Sequence, residues 1–193
     1  MPLGEDFEAA LLYASDMHRQ QVRKGSGAPY LLHLLQVAGL ALEYGADEQV
    51  AIGALLHDVV EDCGKETIEQ IRDRFGERVL AIVMGCSDTT DKVAETRPWR
   101  ERKETYIDHL REAASADVLL VSCCDKLHNS RAILSDLKEQ GESIWDIFQG
   151  GREGTLWYYR ALVESYRQVD APPRLVRELD EVVSEIERLA GGG

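Results

Sequence analysis

The segment ALLHDVVED, Ala54 to Asp62, joins reactive residues to an apolar run more closely than any other stretch of the chain. An adjacent His57–Asp58 pair ends the run, and Glu61 and Asp62 follow three and four residues after Asp58. An ionised carboxylate is strongly disfavoured away from water unless a partner replaces its hydration. A metal ion is such a partner, accepting one imidazole nitrogen and one carboxylate oxygen from neighbouring residues. Two more ligands must then come from elsewhere. His33, within YLLHLLQVAGL, and Asp125, within VLLVSCCDKLHN, are the polar interruptions best placed to supply them. Taken singly, His33 also suits a hydrogen-bonded core histidine and Asp125 a helix-surface acid. The order His, His-Asp, Asp across three apolar segments points instead to a single divalent metal ion. Two imidazoles and two carboxylates, with water completing the shell, suit Mn²⁺, with Fe²⁺, Zn²⁺ and Co²⁺ as alternatives.

Other polar residues fall at useful distances from these four. Carboxylates one turn beyond Asp58 can take a proton from water that a metal has acidified, which is the reading for Glu61 and Asp62. A solvated helix end is the alternative. Arg23 and Lys24 open the loop RKGSGAP, where basic side chains and free backbone N–H groups make a phosphate cradle; an ordinary solvent-facing pair is the other option. Asn129 lies four residues after Asp125 and shares its helix face, so it either reaches a ribose or phosphate group or bonds to Asp125. Arg131 falls in the apolar stripe of Leu120, Cys124, Leu127 and Leu134, which calls for a buried acid beside it or a place in the pocket lining. Lys126 and His128 are expected at the surface.

The elements that must carry these residues are helices. Apolar periodicity predicts helices over about Asp6–Gln21, Pro29–Tyr44, Glu48–Val60, Glu66–Phe75, Glu77–Ser87, Trp99–Arg111, Asp117–Glu139, Arg152–Val169 and Pro173–Leu189. Ala9, Leu12, Tyr13 and Met17 form the expected inner face of the first. Gly45 is a suitable stop for the second and Asp47 a cap for the third, whose nearly continuous apolar character places it centrally. The polar stretch Asp88–Arg97 is expected to be a loop, and the glycine tail to fray. No segment alternates with the period of a strand, so the expected fold is an all-α bundle of about 8–10 helices, one domain over residues 1–193.

The four segments His18-x4-Arg23-Lys24, Pro29-Tyr30-x2-His33, His57-Asp58-x2-Glu61-Asp62 and Asp125-Lys126-Leu127-His128-Asn129 resemble the HD superfamily of metal-dependent phosphohydrolases. More narrowly, they are similar to the hydrolase domain of the RelA/SpoT family and to the small alarmone hydrolases, over about residues 10 to 135. The resemblance implies that His33, His57, Asp58 and Asp125 hold the metal and that Glu61 and Asp62 activate the attacking water. It also implies that Arg23, Lys24 and Asn129 meet the nucleotide. A helix equivalent to the one starting at Trp99 lies near the pocket entrance in that family, which offers Arg100 and Lys103 to distal phosphates; a solvated basic face is the alternative. Leu34 stands where the family usually has proline, and Asp88-Thr89-Thr90 matches its Thr-Lys segment only loosely. The implied reaction is removal of the 3′-diphosphate from guanosine tetra- or pentaphosphate. The alternatives are a general HD nucleotidase or phosphodiesterase, with NADPH among its substrates, and a non-catalytic nucleotide-binding HD protein.

Bulk composition sets the outer limits. The 193 residues are 44% hydrophobic and 30% charged, as in ordinary globular proteins. A formal charge of −13 argues against nucleic acid as a partner and leaves a small anionic nucleotide, bound where basic residues gather locally. No apolar run approaches the roughly 20 residues of a membrane span, and the acidic N-terminus is unlike a signal peptide. The four cysteines, Cys63, Cys86, Cys123 and Cys124, make no framework and read as free thiols of a cytoplasmic protein. No synthetase or regulatory domain is expected within this length, and assembly into a homo-oligomer is left open. Trp145, Trp157, Tyr158 and Tyr159 are read as core or interface.

Overall fold

The computed structural model describes residues 2–87, 96–112 and 114–191. Apolar residues at helical spacing are buried along α1 (Glu5–Met17), α2 (Leu31–Glu43), α3 (Glu48–Leu56) and the short α4 (Val59–Cys63). They continue along α5 (Thr67–Phe75), α6 (Glu77–Cys86), α7 (Trp99–Glu112) and α8 (Ala116–Gln140). A 3₁₀ segment (Gly141–Ile147), α9 (Gly151–Gln168) and α10 (Pro173–Gly191) complete the chain. No strand occurs among the described residues, and the one isolated bridge pairs Val22 with Pro29. The all-α expectation therefore holds. Among the described residues no helix is long and apolar enough to cross a membrane.

The Asp47 cap expected from the sequence is present, and Ser115, not among the expected caps, caps α8 in the same way. The Asp47 side chain accepts from Val50 N–H at 3.0 Å, and Ser115 does the same for Val118 at 3.3 Å. Gly45 follows α2 with a φ of 91°, a left-handed conformation that lets Ala46 N–H reach back to the Ala41 carbonyl at 2.9 Å. Residues Val50 to Leu56 of α3 are all buried, so this helix has no polar face and is surrounded by α1, α2, α6 and α8. Its approach to α6 is close because Gly53 faces Ile82; a methyl at Gly53 would lie 2.7 Å from Ile82 Cγ2. The 25-residue α8 runs through the bundle and packs on α2, α6 and α10.

Four expectations are corrected. The helix predicted over Glu48–Val60 is broken after Leu56, and His57 and Asp58 occupy the break before α4. The turn redirects the chain just where its polar pair must face inward. The first helix stops at Met17 rather than Gln21, because His18 leaves the helical path and is buried. Its inner face is Ala10, Tyr13 and Ala14, with Leu12 exposed, since the small alanines permit close packing on α3. The 3₁₀ segment has no counterpart in the predicted helices; its Ile144 and Trp145 are buried against α8. Of the expected loop Asp88–Arg97, residues 88–95, including Asp88-Thr89-Thr90, lie outside the described residues, as do 192 and 193 of the glycine tail.

Candidate metal centre

Two helices and one break bring the predicted donors together. His33 comes from the first turn of α2, His57 and Asp58 from the break between α3 and α4, and Asp125 from α8. Asp58 Oδ2 lies 3.4 Å from His33 Nε2 and 3.0 Å from His57 Nε2. Asp125 Oδ1 lies 3.2 Å and 3.7 Å from the same two nitrogens. The donor atoms of His33, His57 and Asp58 all fall within 4.8 Å of one another. His33 and His57 are 1% and 2% exposed and Asp125 8%, whereas Asp58 is 21% exposed. The cluster thus faces solvent on the Asp58 side.

The hydrogen bonds around this point set the protonation it demands. His57 Nδ1 is 2.8 Å from the Ala54 carbonyl, which only accepts, so the proton sits on Nδ1 and the Nε2 lone pair faces the carboxylates. That Nε2 is buried without a hydrogen-bond partner. A lone pair aimed at two carboxylates is repulsive unless a cation stands between them. The donor set, nitrogen and oxygen in equal number, fits a divalent metal ion. With only protons to neutralise the cluster, burial opposes the His57 imidazolium, but Asp58 and Asp125 outweigh it and hold its pKa well above the ordinary value. Burial likewise opposes both carboxylates. The His57 and His33 rings nevertheless hold Asp58 well below its usual range, and Lys126 with the same rings does so for Asp125.

Two residues expected at the surface belong to this centre. Lys126 Nζ bonds to Asp125 Oδ2 and sits 5.3 Å from the centre of the Tyr106 ring. It fixes one carboxylate oxygen and leaves Oδ1 facing the imidazoles; burial opposes its charge, but Asp125 keeps it protonated. His128 Nδ1 lies 2.7 Å from His33 Nδ1. Burial first, then the charges of His33 and Arg23, push the His128 pKa down to about 4, so its ring is neutral and able to accept from His33. Helical spacing concealed both, because α8 is enclosed on so many sides that positions beside the main stripe are covered too. The signal that could have found them is their place within Asp-Lys-Leu-His-Asn.

The remaining predicted residues divide. Arg23 donates to Asn129 Oδ1 at 2.7 Å, and Asn129 Nδ2 donates to Asp125 Oδ1 at 2.5 Å. Arginine only donates and carboxylate only accepts, which fixes the orientation of the amide between them. The bridge of Val22 to Pro29, with Arg23 N–H on the Ala28 carbonyl at 2.8 Å, holds Arg23 there. Lys24 is exposed nearer the loop tip. Tyr30 hydroxyl donates to Asp58 Oδ2 at 2.7 Å, and burial followed by the Asp58 charge raises its pKa. Glu61 and Asp62 are exposed on α4. Asp62 Oδ2 accepts from Gln21 at 2.7 Å, and partial loss of hydration on its inner side, then Asp58, raises its pKa. An open cleft of about 580 Å³, lined by residues that include Gln21, Asp62 and Cys63, lies on that side; none of the four predicted donors lines it.

Arg131 pairs with Glu178 of α10 at 3.1 Å and is exposed, so it leaves the apolar stripe for a surface acid rather than a buried one. Arg100 lies over the Trp157 ring and bonds to Glu104, which engages it away from the four donors. Trp145, Tyr158 and Tyr159 are core residues, and all four cysteines are free.

A helical bundle that gathers two imidazoles and two carboxylates around one point, with basic side chains at its edge, defines a metal-binding helical protein. Residues 10–156 match the family model of the HD domain, and the chain belongs to that family. The chain is 35% identical, over 73% of its length, to the guanosine-3′,5′-bis(diphosphate) 3′-pyrophosphohydrolase of Aquifex aeolicus, and 32% identical, over 91%, to the probable enzyme of that name from Synechocystis. It spans 20% and 24% of those two relatives. A solved structure of a metazoan ortholog of SpoT, described as hydrolysing ppGpp with a role in starvation responses, is 30% identical. It superposes with a TM-score of 0.78 over 99% of this chain and 98% of the other.

Proposed function

We propose that this protein is a metal-dependent phosphohydrolase that removes the 3′-diphosphate from guanosine tetra- or pentaphosphate. The observation that carries the reading is the meeting of His33, His57, Asp58 and Asp125 beside the Glu61–Asp62 pair, with the buried Nε2 of His57 lacking any other partner. The names of the relatives and of the metazoan structure, matched here over nearly its whole length, supply the substrate.

His33, His57, Asp58 and Asp125 would hold one divalent ion, for which Mn²⁺ is the proposed identity. Such an ion supplies Lewis-acid charge that polarises a phosphoryl oxygen and makes water nucleophilic near neutral pH. Asp62, whose pKa is already raised, accepts the proton of the attacking water, and Glu61 shares that task from the same turn. Arg23, Lys24 and Asn129 bind the phosphates and sugar, with Arg23 already held at Asn129. Tyr30 keeps Asp58 in place through its hydroxyl.

The test is digestion of guanosine tetraphosphate by purified protein with added Mn²⁺, with products separated and metal content measured. Diphosphate and guanosine 5′-diphosphate are the expected products. Orthophosphate release from nucleoside monophosphates or from NADPH in preference would replace the alarmone with a general nucleotidase. Metal-free protein without turnover on any of these would leave a binding protein only.

A further inference from the structure

We propose that His18 is a positioning residue that holds the Asp62 carboxylate in its working orientation through Gln21; this rests on the proton-accepting role given to Asp62 above. His18 is the first residue past α1 and is 3% exposed. Its backbone N–H still closes the helix on the Ala14 carbonyl at 3.1 Å, while its side chain turns inward. The ring stacks on Tyr30, with centroids 5.2 Å apart and planes 23° from parallel. Its Nδ1 lies 2.6 Å from Gln21 Oε1, and Gln21 Nε2 lies 2.7 Å from Asp62 Oδ2.

The direction of this chain follows from its ends. A carboxylate only accepts, so Gln21 must turn its NH₂ to Asp62 and its oxygen to His18. The proton on His18 is therefore on Nδ1. The other nitrogen, Nε2, is buried with no hydrogen-bond partner. A buried polar atom without a partner costs free energy that a phenyl ring in the same space would not. What a phenyl ring cannot do is donate to Gln21. That one bond is the physical distinction of histidine at this place.

The need for it lies in the residues it restrains. Asp62 is the fourth residue of the five-residue α4 and is exposed, and Gln21 has three rotatable side-chain bonds at a partly exposed position. Unrestrained, neither would hold one carboxylate oxygen aside and present the other to the attacking water. The stack on Tyr30 also ties this arm to Asp58, because the Tyr30 hydroxyl bonds to that carboxylate. One buried ring thus sets the spacing between a metal donor and the proton acceptor. Misplacement of such a group by a fraction of an ångström is costly to the chemical step and neutral to ground-state binding.

The experiment compares His18→Phe, His18→Asn, Gln21→Ala and Asp62→Asn, alone and in pairs, in the metal-loaded protein with guanosine tetraphosphate. His18→Phe keeps the volume and the stack but loses the donor. His18→Asn places an amide N–H about where Nδ1 lies. His18→Phe and Gln21→Ala are each expected to lower kcat on the order of tenfold with KM unchanged, and His18→Asn to restore most of the rate. In the Asp62→Asn background the same changes should add less than about twofold, because residues acting as one unit are not additive. The Gln21 side-chain amide signals in an ¹H–¹⁵N spectrum should shift in His18→Phe and return in His18→Asn, independent of turnover. Wild-type kcat in both His18→Phe and Gln21→Ala, or full additivity with Asp62→Asn, overturns the inference while leaving Asp62 its role. A full rate in Asp62→Asn overturns that role, and the inference with it. Gln21→Ala, at a partly exposed position, carries the test if His18→Phe does not fold.

Discussion

Replacing His128 by phenylalanine should weaken metal binding without touching any of the four donors. His33 must offer the Nε2 lone pair to a metal, so its proton is on Nδ1 and is donated to His128 Nδ1, 2.7 Å away. His33 is 1% exposed, so no water replaces that acceptor once it is removed. Leaving a buried donor unsatisfied costs roughly 1–3 kcal/mol, and removing a partner that orients a metal-ligating histidine costs about 10–100-fold in affinity. The two figures agree, since about 1.4 kcal/mol corresponds to tenfold. The loss should appear in a titration of Mn²⁺ into metal-free protein followed by equilibrium dialysis and elemental analysis. His128→Asn, whose side-chain oxygen lies near the position of Nδ1, should recover much of it. Wild-type affinity in His128→Phe would refute the assigned tautomer of His33, and with it the orientation of His33 towards the cluster.

Four further outcomes test other parts of the structure. Asp58→Ala should remove both metal and turnover, as read by elemental analysis and the guanosine tetraphosphate digest, because Asp58 Oδ2 approaches both imidazoles. Glu61→Gln should keep the metal and the melting temperature but slow single-turnover hydrolysis by on the order of a hundredfold. Asp47→Ala should cost about 1 kcal/mol and roughly 2–4 °C of melting temperature through loss of the α3 cap. The Val50 N–H and then Arg78 lower the Asp47 pKa, so its contribution is present above the ordinary carboxylate value and lost as pH falls through the lowered one. The gap between wild type and Asp47→Ala in thermal melts should narrow in acid accordingly. Gly53→Ala should destabilise by about 1–3 kcal/mol in urea unfolding, despite the better helix propensity of alanine, because the new methyl meets Ile82 at 2.7 Å.

The helices and the four donors were legible in the sequence for one reason: both depend on local contrast. A histidine or aspartate within an apolar run is conspicuous, and Gly45 and Asp47 bound their helices by conformational rules that act over a few residues. The residues that escaped depend on what surrounds a position from other elements. Lys126 and His128 lie beside the expected inner stripe of α8, and only the packing of α2 and the C-terminal helices around α8 encloses them. The break at His57–Asp58 was hidden because both flanks are apolar, so periodicity ran through it. The burial of His18 depends on a tyrosine twelve positions later returning across the 22–29 bridge, a contact no local pattern encodes.

The centre also bears on how so acidic a chain would accept the polyanionic substrate proposed above. At about 0.1 M salt, charges more than roughly 10 Å apart are largely screened, so the formal charge of −13 matters less than the charges near the donors. Asp58 and Asp125 alone would cancel a divalent ion and leave a neutral point. Lys126, bonded to the Asp125 oxygen that turns away from the imidazoles, offsets one of those carboxylates without occupying a metal position. Arg23, held by Asn129, adds a second fixed positive charge beside the four candidate donors. Counted with the nearby Glu61 and Asp62 carboxylates, the loaded centre would be close to neutral within a molecule of formal charge −13, and Lys126 and Arg23 are the two positive charges that keep it from being negative.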